Sequence, residues 1–170
     1  MQAPMVREMK RMIRRLLAGF GYDIRAVDHR SDVRGVNLVH DARTMIGGKS
    51  QVVLFDVGAN VGQTVEDLLD AFRNPRIFSF EPSPTTFDML RRTYAGKPGI
   101  CLENIALGER EGIMPFHVTQ RYSSSDSLLR PTWDARAKEV QVRVETLDGY
   151  CERHGIGVID LLKMIRRGMT

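Results

Sequence analysis

The chain is poor in the residues that build stapled or metal-bound domains. Its 170 residues include two cysteines, Cys101 and Cys151, with no C-x-x-C spacing, so neither a disulfide framework nor a thiolate centre is expected and both read as free thiols. The four histidines, His29, His40, His117 and His154, are scattered without ligand spacing. Each reads as a surface or loop residue, and no metal site is expected. No apolar run approaches the ~20 residues that cross a bilayer, and the first residues lack a secretory h-region. A soluble, cytoplasmic chain is the expectation. Two nucleotide signatures are missing as well. After Gly58 come Ala59, Asn60, Val61 and Gly62, which breaks the dinucleotide pattern G-x-G-x-x-G, and Gly62 is followed by Gln63, where a phosphate loop needs Lys. NAD, ATP and GTP are thereby disfavoured.

Charge is unevenly spread. Residues 1–20 carry Arg7, Lys10, Arg11, Arg14 and Arg15 against Glu8, a net +4 that equals the formal charge of the whole chain. The remainder is balanced, so no broad basic surface for nucleic acid is implied. The same segment places Met5, Met9, Met12, Ile13, Leu16 and Phe20 at helical spacing. One reading is a helix lying on a membrane surface or docking a partner through residues 5–20. The other is a helix packed on its own domain, the commoner use of such a stripe.

What is present is concentrated in Phe55–Thr64, FDVGANVGQT, and in FSFEPSP at Phe78–Pro84. Val52, Val53, Leu54 and Phe55 suit a buried parallel strand that ends at Asp56. Gly58 and Gly62 allow a sharp turn and a close ligand approach, and the segment after them has helical spacing. A second strand ends at Glu81, with Pro82 and Pro84 stopping it. Strand, glycine turn and helix N-terminus form a crevice at the carboxyl end of a parallel sheet, where a carboxylate such as Glu81 accepts from both hydroxyls of a ribose. An acidic residue before the turn repels phosphates but suits a cofactor bearing a sulfonium and an ammonium group. S-adenosylmethionine is the cofactor that fits this description.

The order of elements supports an α/β fold. Strands are expected at Val52–Asp56, Arg76–Glu81 and Gly99–Asn104, alternating with helices at Val61–Phe72 and Pro84–Tyr94, and this alternation implies a parallel sheet. Residues 113–119 and 138–145 alternate like an antiparallel pair flanking the loop 120–133. Thr146 is placed to cap a short helix through His154, and Val158–Met164 reads as a fourth parallel strand. Residues 21–49 read as a mixed capping segment with turn signals at Ser31-Asp32 and Gly47-Gly48. Two regions result: a basic helix and capping segment over residues 1–49, and the main domain over 50–170.

FDVGANVGQT, FEPSP, ENIALGEREG at Glu103–Gly112 and VETLDGYCERHGIGVIDLLKM at Val144–Met164 occur in the order of the FkbM family of S-adenosylmethionine-dependent methyltransferases, which the chain resembles over about residues 50–164. The resemblance implies a class I methyltransferase fold, Rossmann-like, with an antiparallel pair inserted in the sheet series. It further implies methyl transfer to a hydroxyl of a sugar, glycolipid or small natural product. By the family's pattern Asp56 and Gly58 contact the methionine portion of the cofactor, and Asn60 and Gly62 shape the turn beneath it. Asp56 read without the family is an N-cap of the next helix, and Glu81 a surface carboxylate. Asn104 either meets the adenine edge through its amide or closes a turn. Ser123–Leu129 matches a serine-rich stretch of the family and either lines an acceptor pocket or is a solvated loop. Trp133 reads as a sugar platform or, more often for such a residue, a loop anchor. A hydroxyl acceptor calls for a base, and no residue is assigned to that role.

After Met164 the family continues with an aspartate, then a glycine after an acidic residue, whereas this chain reads Ile165, Arg166, Arg167, Gly168, Met169, Thr170. Removing a single G after the methionine codon of a frame for Met-Asp-Thr-Glu-Gly-Tyr-Asp yields these letters. The expectations are a frameshifted ending, missing C-terminal strands, an exposed apolar edge and, as the alternative function, an inactive fragment or cofactor-binding remnant that serves a partner.

Overall fold

The computed structural model describes residues 38–119 and 137–164. The amphipathic stripe of residues 5–20, the loop with Ser123–Leu129 and Trp133, and the ending from Ile165 lie outside them.

Chain order runs α1 (Leu38–Ile46), β1 (Val52–Val57), α2 (Gln63–Ala71), β2 (Pro75–Phe80), α3 (Pro84–Tyr94), β3 (Ile100–Glu103), β4 (Ala106–Leu107), β5 (Gly112–Val118), β6 (Lys138–Glu145), α4 (Leu147–Arg153) and β7 (Leu161–Met164). Strands β3, β2, β1 and β7 form a parallel sheet in that order. This is the 3-2-1-4 arrangement of a Rossmann-like half, with the sequence series reversing direction between β1 and β7. The antiparallel pair, β5 and β6, exists as expected. It does not interrupt the parallel sheet, however. It builds a second sheet with β4, which runs parallel to β6. Strand β4 has only two residues, too few to show alternation. The supposed capping segment contains the helix α1, whose Ala42 is buried.

Each face of the parallel sheet has its own packing. Val52, Leu54 and Ile77 face Val65 and Leu68 of α2 and Leu90 and Tyr94 of α3, all buried. Phe55, Phe78 and Phe80 face Tyr150 of α4. Tyr150 meets Phe80 edge to face at 4.9 Å and 79°, a favoured geometry of aromatic quadrupoles. Its hydroxyl donates to Glu103 Oε1 at 2.9 Å, so burial of the ring leaves no polar orphan. The hydroxyl's pKa is raised by that burial first, with Cys101 and Glu103 adding to it. Helix α4 starts as the sequence predicts: Thr146 Oγ1 accepts from the Gly149 amide at 3.1 Å. Ala106, Phe116, Val142 and Val144 form the core of the second sheet.

One of the histidines departs from its surface reading, and another keeps it while packing on a neighbour. His117 on β5 is only 7% exposed. His154, exposed at the end of α4, stacks on the Tyr150 ring with centroids 4.1 Å apart. Both cysteines are free thiols, as expected. Among the described residues no helix is long and apolar enough to cross a membrane, and no three His, Cys, Asp or Glu side chains group as metal ligands would.

Candidate functional site

The carboxyl ends of the four parallel strands bring together residues far apart in sequence. Across the sheet they are Glu103 on β3, Glu81 just after β2, Asp56 on β1 and Lys163 on β7. Open parallel sheets bind ligands at this edge, where the strand series reverses. That reversal lies between Asp56 and Lys163, which are paired in register.

The turn after β1 is fixed by conformation and by hydrogen bonds. Gly58, Asn60 and Gly62 have φ of 75°, 53° and 97°, the left-handed region that glycine enters freely and asparagine tolerates. The amides of Gly58 and Ala59 both donate to Phe80 O at 3.0 Å, tying the turn to the end of β2. Glu81 completes the tie. Its Oε2 accepts from the Asn60 amide at 2.9 Å and its Oε1 from the Ser83 amide at 3.0 Å. At 3% exposure it is no surface carboxylate. Its position after β2 couples the glycine turn to the turn that starts α3.

Asn104, the residue after β3, supports the same place. Its Nδ2 donates to the carbonyl oxygens of Glu81 and Pro82 at 2.8 and 3.1 Å. These bonds tie Asn104 to the backbone that follows β2. Gly62 also has a use that sequence reasoning missed. A Cβ there would stand 2.2 Å from Tyr94 Cε2, and the Tyr94 hydroxyl donates to Gly62 O at 3.0 Å. The space that the glycine frees is filled by Tyr94, so Gly62 serves helix packing. Burial first, and then Glu66, whose Oε2 lies 2.9 Å from the same hydroxyl, push the Tyr94 pKa up to about 12. Gly62 itself is the N-cap of α2, which removes the N-cap reading of Asp56.

Asp56 is wholly buried. Its Oδ1 accepts from Lys163 Nζ at 2.6 Å, while its Oδ2 has no hydrogen-bond partner. Lys163 Nζ also reaches Gly58 O at 3.4 Å, longer than a good bond. Burial raises the Asp56 pKa, and Lys163 opposes the rise through its charge and its hydrogen bond. Level with Asp56 on β2 stands Ser79, also fully buried, whose Oγ has no partner. Buried polar atoms are normally paired, so two orphans in one register row mark a place that is built for something more than packing. The acidic charge before the glycine turn is paired with a lysine 107 residues away. A lysine inside the apolar run IDLLKM was the available signal.

Fold and site together define a Rossmann-like α/β domain with a polar row at the reversal point of its parallel sheet. The family model described as the methyltransferase FkbM domain matches residues 56–164, and the chain belongs to that family. A curated relative, the 2-O-methyltransferase NoeI of Sinorhizobium fredii (strain NBRC 101917 / NGR234), is 24% identical over 143 residues, covering 76% of this chain and 59% of that protein. The chain thus spans less than two thirds of the length of the relative it matches. No solved structure matches it.

Proposed function

We propose that this chain is an S-adenosylmethionine-dependent methyltransferase, acting in the cytoplasm on a hydroxyl of a sugar, glycolipid or small natural product. Membership of the FkbM family supports methyl transfer in general, and the relative named as a 2-O-methyltransferase supports an oxygen acceptor. The observation that carries the cofactor reading is the polar row at the reversal point, with the buried, unpartnered Asp56 Oδ2 at its centre. A bare carboxylate oxygen beside a glycine turn suits a cationic ligand group and not a phosphate.

In this reading Asp56 and Gly58 lie at the amino-acid portion of the cofactor, and Asn60 and Gly62 set the turn. Glu81, a carboxylate at the end of β2 that holds the Asn60 and Ser83 amides, accepts from the ribose hydroxyls. Asn104 holds the Glu81–Pro82 backbone and borders the adenine. The cofactor, when bound, supplies a methyl carbon on a sulfonium, open to in-line attack by an oxygen. The contribution of the chain is to hold that group rigidly, the part of catalysis that comes from orientation. The test is transfer of labelled methyl from S-adenosylmethionine to a panel of glycans, glycolipids and small hydroxyl compounds, with the product mapped by mass spectrometry. Methylated oxygen supports the proposal. Binding of S-adenosylhomocysteine without transfer to any acceptor would leave a cofactor-binding module, and absence of binding would end the cofactor reading.

A further inference from the structure

We infer that Lys163 is a ligand-binding residue, and that with Asp56 it forms a receptor for the zwitterionic amino-acid head of the cofactor. The inference rests on the cofactor reading above and assigns a residue that reading lacks.

The argument begins from what each partner leaves unused. Asp56 offers two oxygens and Lys163 occupies one, leaving Oδ2 buried with no donor. An unmet buried acceptor is costly, more so when charged. Lys163 has three N–H donors. One makes the 2.6 Å bond to Asp56, a second meets Gly58 O only at 3.4 Å, and among the described residues no acceptor takes the third. The pair therefore presents one unfilled acceptor of negative charge next to unfilled donors of positive charge. A lone carboxylate or a lone ammonium would satisfy one partner and be repelled by the other. An α-amino acid head satisfies both: its ammonium donates to Asp56 Oδ2 and its carboxylate accepts from Lys163 Nζ. Four charges then alternate in sign around a ring, and every adjacent pair attracts.

Position agrees with this. The pair spans β1 and β7, across the reversal point of the sheet. Asp56 has no exposed side-chain surface, whereas Lys163 keeps 12% of its own. Access to the pair is therefore from the lysine side, and the buried Asp56 holds the ammonium group of Lys163 in place. Contrast Lys49, whose aspartate partner Asp160 also accepts from a backbone amide, so that neither carboxylate oxygen is left bare.

Calorimetric titration of the full chain with S-adenosylhomocysteine and with 5′-methylthioadenosine, which lacks the amino-acid head, tests the inference. The wild type should prefer S-adenosylhomocysteine by about tenfold or more, the worth of charge-assisted hydrogen bonds. Lys163→Gln should lose most of that preference while 5′-methylthioadenosine binding stays within about twofold, and Lys163→Arg should restore part of it. An unchanged preference in Lys163→Gln would overturn the inference. If that variant fails to fold, the wild type decides. A thioether lacking only the carboxylate should bind about tenfold more weakly than S-adenosylhomocysteine, and equal binding would overturn the inference. Equal wild-type affinity for S-adenosylhomocysteine and 5′-methylthioadenosine removes this inference and leaves the cofactor reading standing. Failure of both compounds to bind removes both.

Discussion

Two lysine–aspartate pairs fasten the region of β7 to β1, one at each end of the strand, and they differ in burial. At the amino end Lys49 bonds Asp160, the lysine side chain being 55% exposed. Asp160 Oδ2 also accepts from the Val53 amide at 2.8 Å, and the Asp160 amide donates back to Val53 O, so the aspartate substitutes for a ladder residue before β7 begins. At the carboxyl end Lys163 bonds Asp56 with 12% and no exposure respectively. In the first pair the lysine is solvated and the aspartate, 8% exposed, has both oxygens satisfied; the second pair is buried and incomplete. A solvated pair contributes little beyond its backbone hydrogen bonds, and a buried pair costs desolvation that hydrophobic packing would avoid. The fold could be fastened by the first kind alone. A buried, unfinished pair at the ligand edge is therefore read as retained for binding.

The contrast can be broken by mutation. Lys163→Met strands an uncompensated buried carboxylate and should cost about 3–5 kcal/mol in denaturant unfolding. Adding Asp56→Asn should recover about half or more of that loss, because the stranded charge is gone. No recovery would mean that Lys163 acts through packing. Gly62→Ala tests how rigidly the same end is built. Its Cβ would collide with Tyr94 at a backbone φ of 97°, and a loss of about 3 kcal/mol is expected. At the other end Lys49→Ala should cost no more than about 1 kcal/mol and less in high salt. The smallest effect belongs to Ser79→Ala. Removing a buried hydroxyl with no partner should leave stability within about 0.5 kcal/mol, and a loss above about 2 kcal/mol would reveal a partner for it.

The two aspartates also separate by pH. Hydrogen bonds from Lys49 and Val53 hold the Asp160 carboxyl below its ordinary 3.8. Its contribution is complete above that value and is lost as pH falls through its lower folded value, so Asp160→Asn should flatten acid destabilisation. Asp56 lies above 3.8 through burial, against the opposing effect of Lys163. Here the folded chain takes up the proton before the unfolded chain does. Acidification toward 3.8 thus favours folding at this residue, and Asp56→Asn should steepen the acid loss instead. Urea midpoints across that acid range would show slopes changing in opposite directions, and equal changes would erase the distinction.

Much of the fold was legible because its signals are local. Apolar runs ending in Asp56 and Glu81, a glycine turn between them, and Pro84 at the first turn of α3 all speak within a few residues. Strand β4 and helix α1 were missed for the opposite reason: one is too short for a period and the other buries little beyond Ala42. At the site, Asp56, Gly58, Asn60, Glu81 and Asn104 converge, but the uses of Gly62 and Asn104 depend on neighbours that sequence spacing does not reveal. Gly62 accommodates Tyr94, 32 residues away. Lys163 stood out in sequence only as a lysine in an otherwise apolar strand; its partner is fixed by strand order, and β7 returns to β1 only after the whole second sheet has intervened.

The central claim is that the cofactor lies at the reversal point of the parallel sheet. Amide and lysine side-chain NMR of the labelled chain, titrated with S-adenosylhomocysteine, tests it most directly. The account predicts the largest shifts at Gly58, Asn60, Glu81, Ser83 and the Lys163 ammonium group; saturable shifts confined to the second sheet, leaving those signals in place, would contradict it.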